Sequence, residues 1–287
     1  MASCIIAYLG PMGSYTYEAA QAFAKDAQIS DAIFEPCASI TTVFSQENQK
    51  EKLPRYMIIP LENSTSGDVY ETYKLLYLHA FRVIALKRLE IAHVLIGLVG
   101  SSCSKIKTVY SHPQALMQVT DYTKKRQLAT IPYFSTADAV GFISKQKDLT
   151  IGAIASTAAT NYYPNTLVLD DAISNNEHNY TRFLVLRAAA DTSESAFFFE
   201  KSQQEAQLFL LFELEHDASG QLSDILTILF TFGINMTSIK SRPIEGQIFE
   251  YFFVVEALMT KLLSEQQQYE IFLQLQEKTA RVIYNVY

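Results

Sequence analysis

Cysteine is scarce in these 287 residues, and Cys4, Cys37 and Cys103 are odd in number and far apart. A disulfide framework or thiolate metal site is therefore not expected, and a reducing compartment is. The histidines, His79, His93, His112, His178 and His216, show neither an HExxH pattern nor close ligand spacing, so no metal is expected. Charge is sparse too, at 18% of residues against roughly 25% in ordinary soluble proteins. Excess positive charge is missing altogether: the formal net charge of −7 excludes nucleic-acid binding through bulk positive charge. No run approaches the roughly 18 apolar residues of a membrane span. The first ten residues lack the basic region and long apolar stretch of a signal peptide. A cytoplasmic protein with no membrane partner is expected. There is no GxSxG elbow, Walker loop, GxGxxG motif or recognisable Schiff-base lysine, which leaves cofactor-free chemistry or binding.

What is present is a large apolar fraction, 49%, in a chain long enough for two or three domains. The charge is unevenly spread. Residues 1–190 carry 17 Lys and Arg against 16 Asp and Glu, whereas residues 191–287 carry 6 against 14. The last third reads as a separate acidic piece, and an anion site belongs in the first two-thirds. There, short apolar runs alternate with amphipathic stretches, which predicts α/β architecture. Strands are expected at Ile5–Leu9, Met57–Ile59, Val83–Leu86, Val94–Leu98, Thr108–Tyr110, Thr150–Ile154 and Phe183–Leu186, with helices after Gly13, Ser39, Gly67, Pro113, Thr136 and Ser156. Two strand-like runs between Ala80 and Leu98 have no helix between them, which suggests a crossover joining two lobes around a cleft. Residues 191–206 read as a linker. From residue 207 to 287 the order is βαββαβ, a ferredoxin-like unit of a kind that often pairs with a copy of itself. Within it Gly233 falls where a helix C′ glycine belongs, and Ser264-Glu-Gln-Gln267 resembles a capping box.

Three strand-to-helix junctions and one strand entry could carry chemistry, since open α/β sheets bind ligands at such junctions. Gly10-Pro-Met-Gly13 opens a helix whose N-terminus favours anions, and is otherwise a packing turn. In Pro60-Leu-Glu-Asn-Ser-Thr-Ser-Gly67, Ser64 or Thr65 reads as a cap; Glu62 and Asn63 either face water or face a ligand. Ser111-His-Pro-Gln-Ala-Leu-Met-Gln118 offers Ser111 as a cap or, with Gln118, as hydrogen-bonding groups for the cleft. Asn179-Tyr-Thr-Arg-Phe183 reads as a turn with a surface ion pair, or as a hydroxyl beside a bidentate carboxylate clamp.

Taken together, YLGPMGSYTYEAA, PLENSTSGDVYET, SHPQALMQ, STADAVGFI, IGAIAS, NYTRF and GINMTSIKSRP, in this order along essentially the whole chain, resemble monofunctional prephenate dehydratase with a C-terminal ACT regulatory domain. The resemblance implies a two-lobed, type II periplasmic-binding-protein-like catalytic domain over residues 1–190 and an ACT domain over 207–287. It implies a lyase that converts prephenate to phenylpyruvate, water and CO2 without a cofactor. Thr181 matches the family's catalytic threonine. By the same matching, Glu62, Asn63, Ser111 and Gln118 line the cleft, while Ser14, Thr16, Ser64, Arg182 and Phe183 bind substrate. An L-Phe effector would meet Gly220, Gln221, Leu222, Asn235, Ser241, Arg242 and Pro243, and the ACT domain would make a homodimer or homotetramer. No chorismate mutase segment precedes Ile5, so the fused bifunctional form is not expected.

This sequence departs from the family pattern at Ser14, where Thr is commoner, and at Asn175, where Asp is frequent. The larger departures are Gly220-Gln-Leu-Ser223 for Gly-Ala-Leu-Val and Lys240-Ser-Arg-Pro243 for Glu-Ser-Arg-Pro. The stretch Tyr251–Ala257 also lacks the usual Asp and Gly. Gln221 adds a polar group where an effector ring would pack, and Lys240 reverses a charge. Two other readings stay open: the same chemistry on arogenate, and a non-catalytic amino-acid sensor.

Overall fold

The computed structural model describes residues 4–45, 53–79, 81–176, 178–188, 195–199, 206–216, 218–259 and 263–287. The chain forms two compact units. One comprises residues 1–69 and 86–185, the other residues 70–85 and 186–287.

The first unit holds two lobes, each built on a mixed sheet. In the first lobe β1 (Cys4–Leu9) runs parallel to β2 (Ala32–Cys37) and β3 (Arg55–Asn63). Then come β11 (Tyr180–Ala188) and the edge strand β5 (Phe81–Glu90), and the short β4 (Gly67–Asp68) folds back on β3. Helix α1 (Tyr15–Asp26) starts where the Ser14 side chain accepts a bond from the Tyr17 N–H. It buries Thr16, Ala19, Ala20, Phe23 and Ala24, the spacing of one helical face. Helix α2 (Ile40–Ser45) adds Val43 and Phe44 to the core. The second lobe is built on β6 (Val94–Leu98), β7 (Thr108–Ser111), β8 (Ala129–Pro132), β9 (Ile151–Ala155) and β10 (Thr166–Asp170), in the order β10-β6-β9-β7-β8. Its helices are α4 (Pro113–Met117), α5 (Thr120–Lys125) and α6 (Thr136–Ile143), with a 3-10 turn at Thr157–Asn161. The lobes are joined at residues 91–93 and 171–179, and the first of these is the crossover expected after Ala80.

Besides the two-residue β4, three strands and one helix of this unit do not announce themselves in the sequence. β2 contains Glu35 and Pro36, β8 is exposed throughout, and β10 is only half-buried. All three lie at sheet edges, where burial on one side at most leaves no apolar run to read. Helix α5 has six residues, too few for a periodicity.

In the second unit β13 (Ala206–Leu214), α7 (Gln221–Thr231), β14 (Ile234–Pro243), β15 (Tyr251–Met259), α8 (Glu265–Gln276) and β16 (Thr279–Val286) follow the expected βαββαβ order. Ser264 and Gln267 make the reciprocal capping box that opens α8. Gly233 takes φ +71° just after α7. β15 begins three residues later than read, because Ile248 and Phe249 sit exposed in the preceding turn. Residues 191–206 are more than a linker: β12 (Ser195–Phe199) pairs in parallel with β16. Phe197 holds it there, packing on Phe272 and Tyr284 at 5.5 and 5.7 Å between ring centroids.

Helices α7 and α8 cover one face of this sheet around Leu210, Phe212, Val255 and Tyr284. Helix α3 (Tyr70–Leu78) and the start of β5 cover the other. Tyr77 stacks on Phe252 at 4.7 Å, Phe81 meets Phe209 edge-on, and the Val83 N–H donates to Asn285 Oδ1 at 3.0 Å.

Gly13 joins the first helix to the second lobe. It holds φ +83°, and a Cβ there would lie 3.1 Å from Ala159 Cα. Gly13→Ala therefore meets both a left-handed backbone and backbone atoms that cannot yield, and is expected to cost about 2–4 kcal/mol. Urea unfolding checks this as a lowered midpoint with an unchanged slope.

Candidate functional site

Thr181 enters the interior at the start of β11, 8% exposed. Across from it on β3 lies Asn63, whose Nδ2 donates to Thr181 Oγ1 at 3.0 Å and to Asn179 Oδ1 at 2.6 Å. Asn63 Oδ1 in turn accepts the backbone N–H groups of Thr65 and Ser66, both at 3.0 Å, and the Ser66 hydroxyl at 2.9 Å. Asn179 Nδ2 donates to Gln118 Oε1 at 3.0 Å. Gln118 Oε1 also faces His93 Nε2 at 2.8 Å, and His93 Nδ1 faces the Tyr15 hydroxyl at 2.9 Å. Gln118 Nε2 points back toward Asn63 Oδ1 at 3.5 Å. The result is a hydrogen-bonded ring of carboxamides from the first lobe, both crossovers and the end of α4. His93 is 2% exposed, and burial pushes its imidazole below the usual range, so the neutral form is favoured.

Of the residues singled out from sequence, Asn63, Gln118 and Thr181 thus come together. Glu62 and Arg182 do not join them. Strand alternation sends both to the opposite face of the sheet, where Arg182 Nε donates to Glu62 Oε1 at 2.8 Å. Ser64 extends the pairing of β3 with β11: its hydroxyl accepts the Tyr180 N–H and its own N–H donates to Tyr180 O. Phe183 is wholly buried in the core. Ser111 is also buried, and its hydroxyl donates to Ile154 O at 2.5 Å. His112, not Ser111, caps α4, with Nδ1 accepting the Gln114 N–H. Ser14 caps α1 and donates to Leu9 O, with Thr16 buried beside it. Asn175 Oδ1 accepts the Asp121 N–H at 3.1 Å and its Nδ2 donates to Thr120, so this departure from Asp keeps an acceptor for the start of α5.

In the second unit Gly220, Gln221 and Leu222 open α7, where Gly220 needs its φ of +94° to turn the chain. Ser241 and Pro243 share the sheet face of α7 and α8, because they pair with Phe253 and Tyr251. A bulge at Thr237 puts Asn235 and Arg242 on the other face, and Arg242 lies 4.8 Å over the Tyr73 ring.

Asn179, His93 and Tyr15 are the residues that reading the sequence missed. Asn179 stands in plain view two positions before Thr181, whereas His93 carries no signal, lying 25 residues from Gln118 and 78 from Tyr15. Beside the ring opens a cavity of about 410 Å³, bordered by Thr65, Gln114, Gln118, Asn175 and Asn179, all uncharged. Among the described residues no group of three His, Cys, Asp or Glu is placed to hold a metal ion, and no helix is long and apolar enough to cross a membrane.

A family model described as prephenate dehydratase matches residues 6–191. The chain is 32% identical over 252 residues to the prephenate dehydratase of Methanocaldococcus jannaschii, covering 88% of this chain and 87% of that one. It is 31% identical over 256 residues to the bifunctional chorismate mutase/prephenate dehydratase of Escherichia coli, a match spanning 88% of this chain and 63% of that protein. Among solved structures, the prephenate dehydratase of Arthrobacter aurescens in complex with L-Phe has the same fold, with a TM-score of 0.78 at 22% identity. That likeness covers 97% of this chain and 89% of the other.

One carboxyl near the first helix gives a pH signature. Glu18, on α1, accepts a short hydrogen bond from Ser156 of the second lobe, and burial raises its pKa more than that bond lowers it. The folded state thus holds this proton where the unfolded chain has released it. Stability contributed by the protonated carboxyl is lost as pH rises from the ordinary carboxyl range through the raised value. Glu18→Gln keeps an acceptor for Ser156 and removes the titration. Unfolding free energies measured from pH 4 to 7 should fall less with pH in the variant than in the parent.

Proposed function

The chain belongs to the prephenate dehydratase family, and we propose that its cleft carries out the decarboxylating dehydration of prephenate to phenylpyruvate, water and CO2. The substrate ring is a cyclohexadiene that becomes aromatic when the C1 carboxylate and C4 hydroxyl depart, so the driving force is internal. The C1–carboxylate bond breaks and its electron pair enters the ring. The C4–O bond breaks with its pair going to oxygen, and that oxygen needs a proton. What the enzyme supplies is position and a donor for the leaving group.

The observation that carries this reading is the bond from Asn63 Nδ2 into Thr181 Oγ1. A hydroxyl has one proton, and Thr181 already accepts from Asn63. Among the described residues it has no acceptor of its own, so its proton is available to a leaving hydroxyl. A threonine alcohol is a poor acid. The Asn63 N–H compensates by stabilising charge that develops on Oγ1 as the proton leaves. We assign the carboxylates of the dianion to the first turn of α1, where the N–H groups of Tyr15 and Thr16 lack intrahelical acceptors. Ser14 shapes that turn. Glu62 and Arg182, paired on the far face, brace β3 against β11 rather than touching the reacting atoms.

The proposal extends to the second unit as an ACT-type regulatory domain that pairs with a copy of itself in a cytoplasmic homodimer or homotetramer. Gly220, Gln221, Leu222, Ser241 and Pro243 share the side of the sheet on which an amino acid would bind. The structural relative was solved with L-Phe bound. Here Gln221 Oε1 is buried without a partner among the described residues, a polar demand that a phenyl ring cannot meet.

Thr181→Ala is expected to lower kcat about 100-fold or more, within the range of a lost proton donor, while Thr181→Ser retains most turnover. Phenylpyruvate absorbance in alkali reads the reaction; near-parental rates in both variants remove Thr181 from the chemistry. Running the parent on prephenate and on arogenate separates the substrates, and no product from either supports a sensor instead. Isothermal titration with L-Phe, L-Tyr and L-Met tests the regulatory unit. Heat with at least one is expected, and Gln221→Ala should shift the preference toward L-Phe.

A further inference from the structure

The bonds around Thr181 permit only one set of carboxamide orientations, and that set reaches a residue outside the catalytic group. Backbone N–H groups can only donate, so the bonds from Thr65 and Ser66 identify the Asn63 atom that receives them as the carbonyl oxygen. Its NH2 then faces Asn179, which must answer with its oxygen. Asn179 therefore turns its own NH2 to Gln118, which must also answer with oxygen. His93 Nε2 meets that same oxygen at 2.8 Å and has to carry a proton. In the neutral imidazole favoured by burial, Nδ1 is then a bare acceptor, and Tyr15 supplies the donor. The Tyr15 hydroxyl also lies 2.8 Å from Ala92 O, so one phenol proton serves two acceptors.

We propose that His93, held by Tyr15 as its Nε2–H tautomer, is a positioning residue that locks the Gln118 carboxamide and, through Asn179 and Asn63, keeps the Thr181 proton directed at the leaving group. The inference rests on the dehydratase reading above. Without the Nε2–H donor, Gln118 loses one of the two donors that hold its oxygen inward. A turned Gln118 then sets its NH2 against that of Asn179. Asn179 cannot follow, because turning it would set its NH2 against that of Asn63, which the two backbone N–H groups hold in place. The misfit falls on the Asn179–Asn63–Thr181 end of the ring. His93 touches no reacting atom, so its loss should appear in kcat and not in KM.

Two measurements test this. In protein labelled with 15N-histidine, and with the His93 signals identified from their absence in His93→Gln, long-range 1H–15N spectra report the tautomer without any substrate. Protonated Nε2 and bare Nδ1 are expected, and a protonated Nδ1 with bare Nε2 overturns the proposal. That result stands whether or not the protein turns over prephenate, so it separates failure of this inference from failure of the dehydratase reading. In the kinetic arm, His93→Phe removes the donor. His93→Gln restores an N–H for Gln118 together with an acceptor for Tyr15. His93→Phe is expected to lower kcat about 100-fold, the scale of a small misplacement of a reacting group, with KM within about threefold. His93→Gln is expected to stay within about tenfold of the parent. Equal rates for His93→Phe and the parent, or a His93→Gln as impaired as a folded His93→Phe, overturn it. Should His93→Phe fail to fold, the tautomer and the His93→Gln rate still decide the matter.

Discussion

Two backbone N–H groups, those of Thr65 and Ser66, decide which way round the Asn63 carboxamide sits, and every polar group around Thr181 inherits that decision. Side-chain amides are ambiguous by themselves, since oxygen and nitrogen occupy equivalent positions. An amide fixed by main-chain donors is not, because the N–H groups of Thr65 and Ser66 can only donate. Each orientation along the ring then follows from the last, and reversing any one would set like groups face to face. A buried polar group left without its partner costs roughly 1–3 kcal/mol, and a partly satisfied network is worse than an apolar one. The ring is thus cooperative: it is correct as a whole or it strains at several points. That property suits the role proposed for Thr181, a weakly acidic alcohol for which direction matters more than acidity.

Strand alternation supplies the second constraint. Asn63 and Thr181 face each other on one side of the β3–β11 pair, and Glu62 and Arg182, one residue along each strand, face each other on the opposite side. A slip of one residue would exchange these pairs and put an ion pair where the neutral donors belong. The pairing of Ser64 with Tyr180, bonded in both directions, holds the register at the point where the strands separate. The salt bridge is partly exposed, and such pairs contribute on the order of 0–1 kcal/mol. Its value lies in register more than in stability.

The sequence is readable wherever burial is two-sided or a cap has its own chemistry. β6 and β9, buried throughout, stand out as apolar runs, and Ser264 with Gln267 declares the start of α8. Edge strands β2, β8 and β10 do not, because half-exposed strands tolerate Glu35, Pro36 or a polar composition. β12 reads as part of a linker because polar residues surround its phenylalanines, and the strand shows itself only in its pairing with β16, where Phe197 docks on Tyr284. At the site, the motifs point to Asn63, Gln118 and Thr181, which the fold brings within hydrogen-bonding reach of one another. They cannot separate Glu62 from Asn63 or Arg182 from Thr181, since adjacent residues in a motif look equally placed until the strand assigns them to faces. His93 lies deeper still. Its use is a hydrogen bond formed across three segments, and no local spacing encodes that.

The same reasoning accounts for Lys240, which stands out in the sequence as a cation on an acidic stretch. Its Nζ lies 5.4 Å from the centre of the Tyr73 ring and donates to the Tyr73 hydroxyl at 3.1 Å, while Arg242 covers the same ring at 4.8 Å. Tyr73 belongs to α3, which covers the sheet face opposite α7 and α8, and it is fully buried. An aromatic face is electron-rich, so it attracts a cation and repels a carboxylate. A glutamate at residue 240 would forfeit one of these contacts and set its charge against the π cloud. The cation at residue 240 thus follows from how this unit packs α3 against its own sheet.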